Sequence, residues 1–591
     1  MVKKVNRNFY WTSIFVEQLV QLGVKYACIS PGSRSSALTC SFAEHNKIKC
    51  FVNIDERSSG FYALGLAKAS DSPVAVVTTS GTATAELYPA IIEAYQQRVP
   101  LIICTADRPP ELKNTGSNQM INQKNIYRNH IRWYKDVGIP DLSGKKLYRL
   151  TSSARKAFDI ASRKDKGPVH LNFPFRKPLE PESFTDEIDD SITVSLIKTK
   201  TQLLTVESVQ LKKRETKILA RIVDKILKAK SGLIISGPQE YDQKLISAVS
   251  SLSEFTGYPV LADGLSQLRL NSSKEIIISN YDSFLKYDVL RQKINPDIIL
   301  QLGRTPTSAS LENFLAETDS ERFLINKYGD SFDPARNAKG IYKFDPVIFC
   351  HELLNYLKQV NSKPVNESFK DIFVKADTNC EQIKTKIILN ASFPNEARII
   401  PEILKTIPEE TTIIVGNSLP VRDLDSFGSK VNKNLKIFFN RGASGIDGIT
   451  STALGISQAV KSCVLITGDL SFLHDTNALL AAKKIQRSIV IVVINNNGGG
   501  IFDTLPIRDN KKLFGKYFKT AHNLDLKVLV EAFGHNYLLI NSWKNLSESV
   551  ISGLQKKSLT VLEVRTNSIA SQKLREKYHG MVEEKLKTEI L

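Results

Sequence analysis

What the 591-residue sequence lacks narrows its class first. Its cysteines, Cys28, Cys40, Cys50, Cys104, Cys350, Cys380 and Cys463, are scattered, odd in number and form no CxxC pair. That pattern argues against a disulfide framework and fits the reduced thiols of a cytoplasmic protein. The eight histidines make no HExxH or comparable spacing, so a zinc site is not expected. Apolar runs stop near seven residues, far short of the ~20 a membrane helix needs, so no integral membrane segment is expected. The basic start MVKKVNRNFYW is not followed by the apolar stretch of a secretory signal. Charge is not scarce: 80 Lys and Arg stand against 61 Asp and Glu, a net +19. The cations are spread, however, with no basic block interleaved with aromatics, so no nucleic-acid partner is expected. Acidic small substrates steered to a cleft explain the sign as well.

What is present reads as a large globular chain. An apolar fraction of 42% and an aromatic fraction of 8% are ordinary, and the length predicts about three domains, each with its own core. The most informative stretch is Cys463 to Phe502, CVLITGDLSFLHDTNALLAAKKIQRSIVIVVINNNGGGIF. An apolar strand (Val464 to Thr467) should end at Gly468-Asp469, a helix should run from about His474 to Lys484, and a second strand (Ile489 to Ile494) should end in three asparagines and three glycines. In an open α/β sheet, ligands bind beyond the carboxyl ends of strands. Asp469 and Asn496, 27 residues apart, offer hard oxygen donors there, the kind Mg²⁺ shares with phosphates. Gly498 to Gly500 allow close backbone approach and can offer a carbonyl. The stretch contains neither GxGxxG nor a Walker A loop. Two plain strand-to-loop turns account for the same residues.

Residues 73 to 108 repeat the grammar of residues 463 to 496: apolar strand, glycine turn, helix, arginine, apolar strand. Gly81 aligns with Gly468 and Arg98 with Arg487, offsets of 387 and 389, and each unit follows an Ala-Leu-Gly ending at Gly65 or Gly455. The chain therefore reads as an α/β protein of three parallel-sheet domains whose first and third arose by duplication. The first domain also carries SPGSRSS, with Ser33 and Arg34 beyond a strand, and Glu56 where a strand passes into a helix. Arg34 suits a carboxylate by its planar fork and equally suits a solvated loop. Glu56 also serves as an ordinary acid at a helix start, and Arg57 as its counter-ion. Arg108 and Gln119 lie in a Pro- and Asn-rich loop after another strand. An acidic linker is expected from Pro178 to Ser191, a helix opening at Lys212-Lys213-Arg214, and a second linker at 361–368. The middle region shows alternating strands and helices without a nucleotide fingerprint. In the third domain, Asn417, Ser418 and Arg422 follow one strand, and Arg441 and four glycines around Ile446 follow the next.

The GD…NN stretch, with SPGSRSS, IDERSSGFYALGLAK, TTSGTATAELYPAIIEAYQQRVPLI, TADRPPEL, VGNSLPVRDLD, FNRGASGIDG and GDLSFLHD, resembles the thiamine-diphosphate enzymes, and among them the carboligase family of menaquinone or phylloquinone biosynthesis. The resemblance implies a pyrimidine-binding domain at 1–190, a middle domain at 205–360 and a diphosphate-binding domain at 375–591. It implies thiamine diphosphate with Mg²⁺ (or Mn²⁺) held by Asp469, Asn496 and the Gly498 carbonyl, and a homodimer or a dimer of dimers. Ser418, Leu470, Ser471, Gly499, Ile501 and Phe502 would line the cofactor, and Ile446 would keep it bent. Glu56 would act on the aminopyrimidine ring held mainly by the partner subunit. Ser33, Arg34, Arg108, Gln119, Ser418, Arg422 and Arg441 would receive the acidic substrates 2-oxoglutarate and isochorismate. The chain departs from this family at Thr307 to Ser310, where members often carry Lys or Lys-Arg; only Arg304 is near. The absence of a His-His pair sets it apart from decarboxylases of the pyruvate type. An acetolactate-synthase-like carboligase is the alternative within the superfamily, and a catalytically silent subunit the alternative outside it.

Overall fold

The computed structural model describes residues 2–184, 186–189, 211, 213–360 and 367–589. The linker expected from Pro178 is described only in part, and Lys212, the break between the first two domains at 190–205 and most of the 361–368 linker lie outside the described residues. Strands β1 (Val2–Val5) and β8 (Asp186–Asp189) pair antiparallel beside the first domain. Among the described residues, the other strands form three six-stranded parallel sheets, with helices between them. The first contains β2 (Tyr26–Ile29), β3 (Lys49–Val52), β4 (Val74–Thr78), β5 (Leu101–Asp107), β6 (Trp133–Asp136) and β7 (Val169–Pro174). The middle sheet has β9 (Gly232–Ser236), β10 (Val260–Ala262), β11 (Ile277–Ile278), β12 (Ile298–Leu302), β13 (Glu321–Asn326) and β14 (Gly340–Lys343). The third has β15 (Thr412–Val415), β16 (Lys436–Phe439), β17 (Ser462–Gly468), β18 (Ser488–Asn495), β19 (Asn536–Leu539) and β20 (Leu559–Arg565).

The central strands are short apolar runs buried along their length, such as β4 and β5, as expected of parallel strands covered by helices on both faces. The first sheet runs β3-β2-β4-β5-β7-β6 and the third β16-β15-β17-β18-β20-β19, the same order strand for strand; the middle sheet runs β11-β10-β9-β12-β13-β14. The duplication read from residues 73–108 and 463–496 is thus repeated across two whole sheets. The two copies also touch. The helix Glu56–Ser70 crosses the helix Ile449–Ser457 so closely that a Cβ on Gly65 would lie 2.0 Å from the Thr452 carbonyl oxygen, and one on Gly455 2.0 Å from that of Tyr62. Each contact is the other's mirror in sequence, so only glycine admits the approach on either side.

Two expectations change. The single helix expected from His474 to Lys484 is two short ones, Asp469–His474 and Ala478–Ala482. Between them Asp475 is fully buried, and its carboxylate accepts the Ser451 N–H at 2.6 Å and the Ser451 hydroxyl at 2.9 Å, which takes it out of the helix. Arg57 pairs at 4.0 Å with Asp55 rather than with Glu56, and it donates to the His474 carbonyl at 3.0 Å.

Candidate active site

In the third sheet, β15, β17 and β18 end side by side, and their carboxyl ends surround a cavity of about 180 Å³. Ten residues predicted to face a cofactor line it: Ser418, Ile446, Asp469, Leu470, Ser471, Asn496, Gly498, Gly499, Ile501 and Phe502. Asp469, 2% exposed, opens the helix after β17. One of its oxygens accepts the Leu470 N–H at 2.7 Å, and the other accepts the Gly498 N–H at 2.8 Å and faces His522 Nε2 at 3.3 Å. Burial pushes the carboxyl above its usual pKa against the pull of those donors. The Asn496 amide donates to Glu396 at 3.0 Å, while its buried Oδ1 has no partner among the described residues.

The glycines after β18 are used structurally. Gly498 has φ +133°, and a Cβ there would meet the Lys519 carbonyl oxygen at 2.1 Å; the Gly499 N–H donates to that same oxygen at 2.7 Å. Gly468 differs: a Cβ there would meet no described atom within 4 Å and would project into open space. The Ile446 loop is held by Ser471, whose hydroxyl donates to the Ile446 carbonyl at 2.9 Å, and by Asn417, whose amide donates to the Asn440 and Gly445 carbonyls at 2.7 Å each. Ile446 itself stays 38% exposed.

A carboxylate, an amide oxygen left without a partner and a backbone turn stripped of side chains fit an oxygen-coordinated divalent cation, and the open face of Gly468 leaves room for a diphosphate beside it. Among the described residues no group of three or more His, Cys, Asp or Glu makes an all-side-chain metal site.

Glu56 lies elsewhere. It begins its helix behind the N-cap Asp55, is partly buried, and burial raises its carboxyl pKa. It does not line the third-domain cavity, and its neighbours Val52 and Ile54 are 47% and 69% exposed. Ser33, Arg34, Arg108 and Gln119 gather at the ends of β2, β4 and β5. Arg34 donates to the Phe175 carbonyl at 2.9 Å, and its buried Nε has no partner among the described residues. Burial and the neighbouring Arg108 lower its pKa. Arg108, 8% exposed, donates to the Ser80 hydroxyl and, at 3.4 Å, to the Gln119 carbonyl. A second pair stands in the third domain: Arg422, which donates to the Ser418 carbonyl at 2.8 Å, and Arg441, whose charge joins desolvation in lowering the Arg422 pKa.

The Thr307–Ser310 loop is occupied in holding the fold. The Thr307 N–H donates to Asp263 at 2.7 Å, Ser308 caps the helix Ala309–Glu317, and Arg304 turns to the Gln96 carbonyl at 2.6 Å.

Sequence reasoning missed Glu396, Asp423 and His522 as parts of this site, and it named Asn417 and Gly468 as strand-end residues without assigning them a ligand. Glu396 lies 100 residues before Asn496 and His522 lies in a loop without pattern, so neither gave a local signal.

Three family profiles match the chain: thiamine pyrophosphate enzyme, N-terminal TPP binding domain, over 11–126; the middle domain of thiamine pyrophosphate enzymes over 202–415; and the C-terminal TPP binding domain over 427–564. The 2-succinyl-5-enolpyruvyl-6-hydroxy-3-cyclohexene-1-carboxylate synthase of Bacillus cytotoxicus is 36% identical over 563 residues, 94% of each chain. The Haloquadratum walsbyi protein of the same name is 35% identical over 613 residues, 98% of each. Among solved structures, the benzoylformate decarboxylase of Polynucleobacter necessarius superposes with a TM-score of 0.68 at 16% identity, over 94% of this chain and 98% of that one, a likeness of fold. With identity of this order over nearly the whole length, and with both cofactor-domain profiles matched, the chain belongs to the 2-succinyl-5-enolpyruvyl-6-hydroxy-3-cyclohexene-1-carboxylate synthase family of thiamine-diphosphate enzymes.

Proposed function

We propose that the protein removes CO₂ from 2-oxoglutarate and joins the remaining four-carbon unit to isochorismate, giving 2-succinyl-5-enolpyruvyl-6-hydroxy-3-cyclohexene-1-carboxylate in menaquinone or phylloquinone biosynthesis. The observation that carries the substrate assignment is the placement of Arg34 and Arg108 at one set of strand ends and Arg422 and Arg441 at the other. Both substrates carry two carboxylates, and guanidinium groups bind such groups by charge-assisted, often bidentate hydrogen bonds.

Asp469, Asn496 and the Gly498 carbonyl would hold Mg²⁺ or Mn²⁺ and, through it, the diphosphate. When bound, thiamine diphosphate supplies the electron sink that lets CO₂ leave a 2-oxo acid. Leu470, Ile501 and Phe502 give the cavity an apolar wall that would exclude water around the bound cofactor. Ile446 lines the same cavity and would be the bulky residue that shapes the cofactor. Glu56 would hold a proton at its carboxyl oxygen, available to the cofactor's pyrimidine ring. Burial raises its pKa, the direction that suits an acid meant to keep and return a proton near neutrality. Because Glu56 sits outside its own chain's cavity and is flanked by exposed Val52 and Ile54, the reading includes a homodimer, alone or paired into a tetramer. Glu56 of one chain then serves the cavity of its partner. Reduced, scattered cysteines suit the cytoplasm.

Mass spectrometry of products formed from isochorismate with 2-oxoglutarate or with pyruvate tests the reading. One lost charge-assisted contact is worth about 1.5–3 kcal/mol, so pyruvate should be used roughly ten- to a hundred-fold less well. Equal use of both acids would contradict it.

A further inference from the structure

We propose that Glu396 is a positioning residue that turns the Asn496 amide so that its oxygen, not its nitrogen, faces the metal. The inference rests on the reading of Asp469 and Asn496 as the metal site and adds the group that sets the ligand's orientation. Glu396 is 1% exposed and begins the helix Glu396–Thr406. Its Oε1 accepts from the Asn496 amide at 3.0 Å and from the Thr566 hydroxyl at 3.0 Å. Its Oε2 accepts from both terminal nitrogens of Arg575 at 3.3 Å.

A carboxylate can only accept, so a primary amide beside it must offer its NH₂. The reversed amide would set two oxygens against each other at the same distance. With the NH₂ spent on Glu396, Asn496 Oδ1 is left buried, without a partner among the described residues, on a side chain that lines the cavity. Gly500 supports the arrangement, since a Cβ there would come within 2.3 Å of the Asn496 nitrogen.

The carboxylate is itself fixed. Arg575, 7% exposed, also donates to both oxygens of Asp423, at 2.9 and 2.6 Å, and Asp423 lines the same cavity. One guanidinium between two acids keeps Arg575 charged against the cost of its burial, its pKa held up by Asp423 and then Glu396. The trio leaves net negative charge behind Asn496. That charge polarises the amide and makes its oxygen a better ligand, as outer partners of metal ligands do elsewhere.

Glu396→Gln makes the idea testable in the full-length protein. The glutamine has one acceptor oxygen, which Arg575 claims, so its NH₂ faces Asn496 and the Asn496 amide reverses. Free Mn²⁺ is followed by its paramagnetic resonance during titration at saturating thiamine diphosphate. The dissociation constant for Mn²⁺ is expected to rise about 10- to 100-fold, while apo-protein melting stays close to wild type. An unchanged constant in a folded variant overturns the proposal. Should Glu396→Gln not fold, Glu396→Asp decides: it keeps the charge but withdraws the acceptor from Asn496, and it must also weaken Mn²⁺ binding or the proposal fails. Asp469→Ala is run alongside. If it too binds Mn²⁺ normally, the metal-site reading itself has failed; if it alone loses the metal, only the role of Glu396 has.

Discussion

The first and third domains are the same device put to two uses. Strand order agrees across all six strands, and Gly65 and Gly455 meet the opposite helix through the same backbone atom at the same distance. The difference begins one turn after β4 and β17. In the first copy, Gly81 has φ +87°, its N–H donates to Gln123 at 3.0 Å, and a Cβ on it would press against Gln119 at 3.2 Å. In the third copy, Gly468 has an ordinary φ of −80° and faces open space, and the next residue is Asp469 where the first copy has Thr82. At the end of the following strand, Asp107 is satisfied within its domain by the Arg108 N–H and the Asn172 amide, at 2.7 and 2.9 Å. Asn496 keeps an oxygen without a partner among the described residues. At Gly81 the first copy packs its own loop against the turn, whereas in the third copy Gly468 and Asn496 border a cavity. The helix crossing is common to both copies; the contacts at these turns are not.

The largest effect should come from removing what only the third copy has. Asp469→Ala deletes the carboxylate proposed to hold the metal and, through it, the diphosphate. Calorimetric titration with Mg²⁺ and thiamine diphosphate should show no saturable binding, and wild-type affinity would erase the distinction drawn between the copies. Glu56→Gln, in the first copy, should leave that binding intact. It should slow proton exchange at the thiazolium carbon, read by NMR, by ~10²–10⁴-fold, the usual worth of one general acid–base group. Exchange at the wild-type rate would remove Glu56 from the chemistry.

The shared features should fail symmetrically. Gly65→Ala and Gly455→Ala each force a Cβ against a carbonyl oxygen of the facing helix. Each should destabilise the apo protein by roughly 1–3 kcal/mol or more in urea unfolding, and by similar amounts. A large cost at one site only would mean that the two helices do not meet as equals. The smallest effects separate the two turn glycines. Gly81→Ala should cost about 1–2 kcal/mol, because its backbone lies where L-residues are strained. Gly468→Ala should leave apo stability within about 0.5 kcal/mol, yet weaken cofactor affinity by crowding the cavity.

Much of this was legible in the sequence because parallel central strands are continuous apolar runs with polar residues at their ends. β4, β5, β17 and β18 announced themselves, and with them Asp469, Asn496 and the glycines. β6 and β19 did not. Each is four residues long at a sheet edge, β6 mostly half-buried and β19 mostly exposed; β6 has no apolar run, and that of β19, Tyr537 to Ile540, is too short to tell strand from helix. The break at Asp475 and the role of Glu396 were hidden for a related reason. Both depend on hydrogen bonds to residues distant in the chain, Ser451 and Asn496, and local pattern carries no trace of such pairs. The gathering of Arg34 with Arg108 and of Arg422 with Arg441 was implied by the family resemblance; their strand-end positions alone equally allowed solvated loop arginines.

The central claim, that an active site takes Glu56 from one chain and the Asp469–Asn496 cradle from another, is tested most directly by mixing two dead variants. Glu56→Gln and Asp469→Ala are unfolded together, refolded together, and assayed for CO₂ release from 2-oxoglutarate with isochorismate present. In a closed two-fold dimer, half the dimers are mixed and each mixed dimer has one intact site, so about a quarter of wild-type activity should return. No recovery, with mixed dimers shown by native mass spectrometry to have formed, would contradict the account.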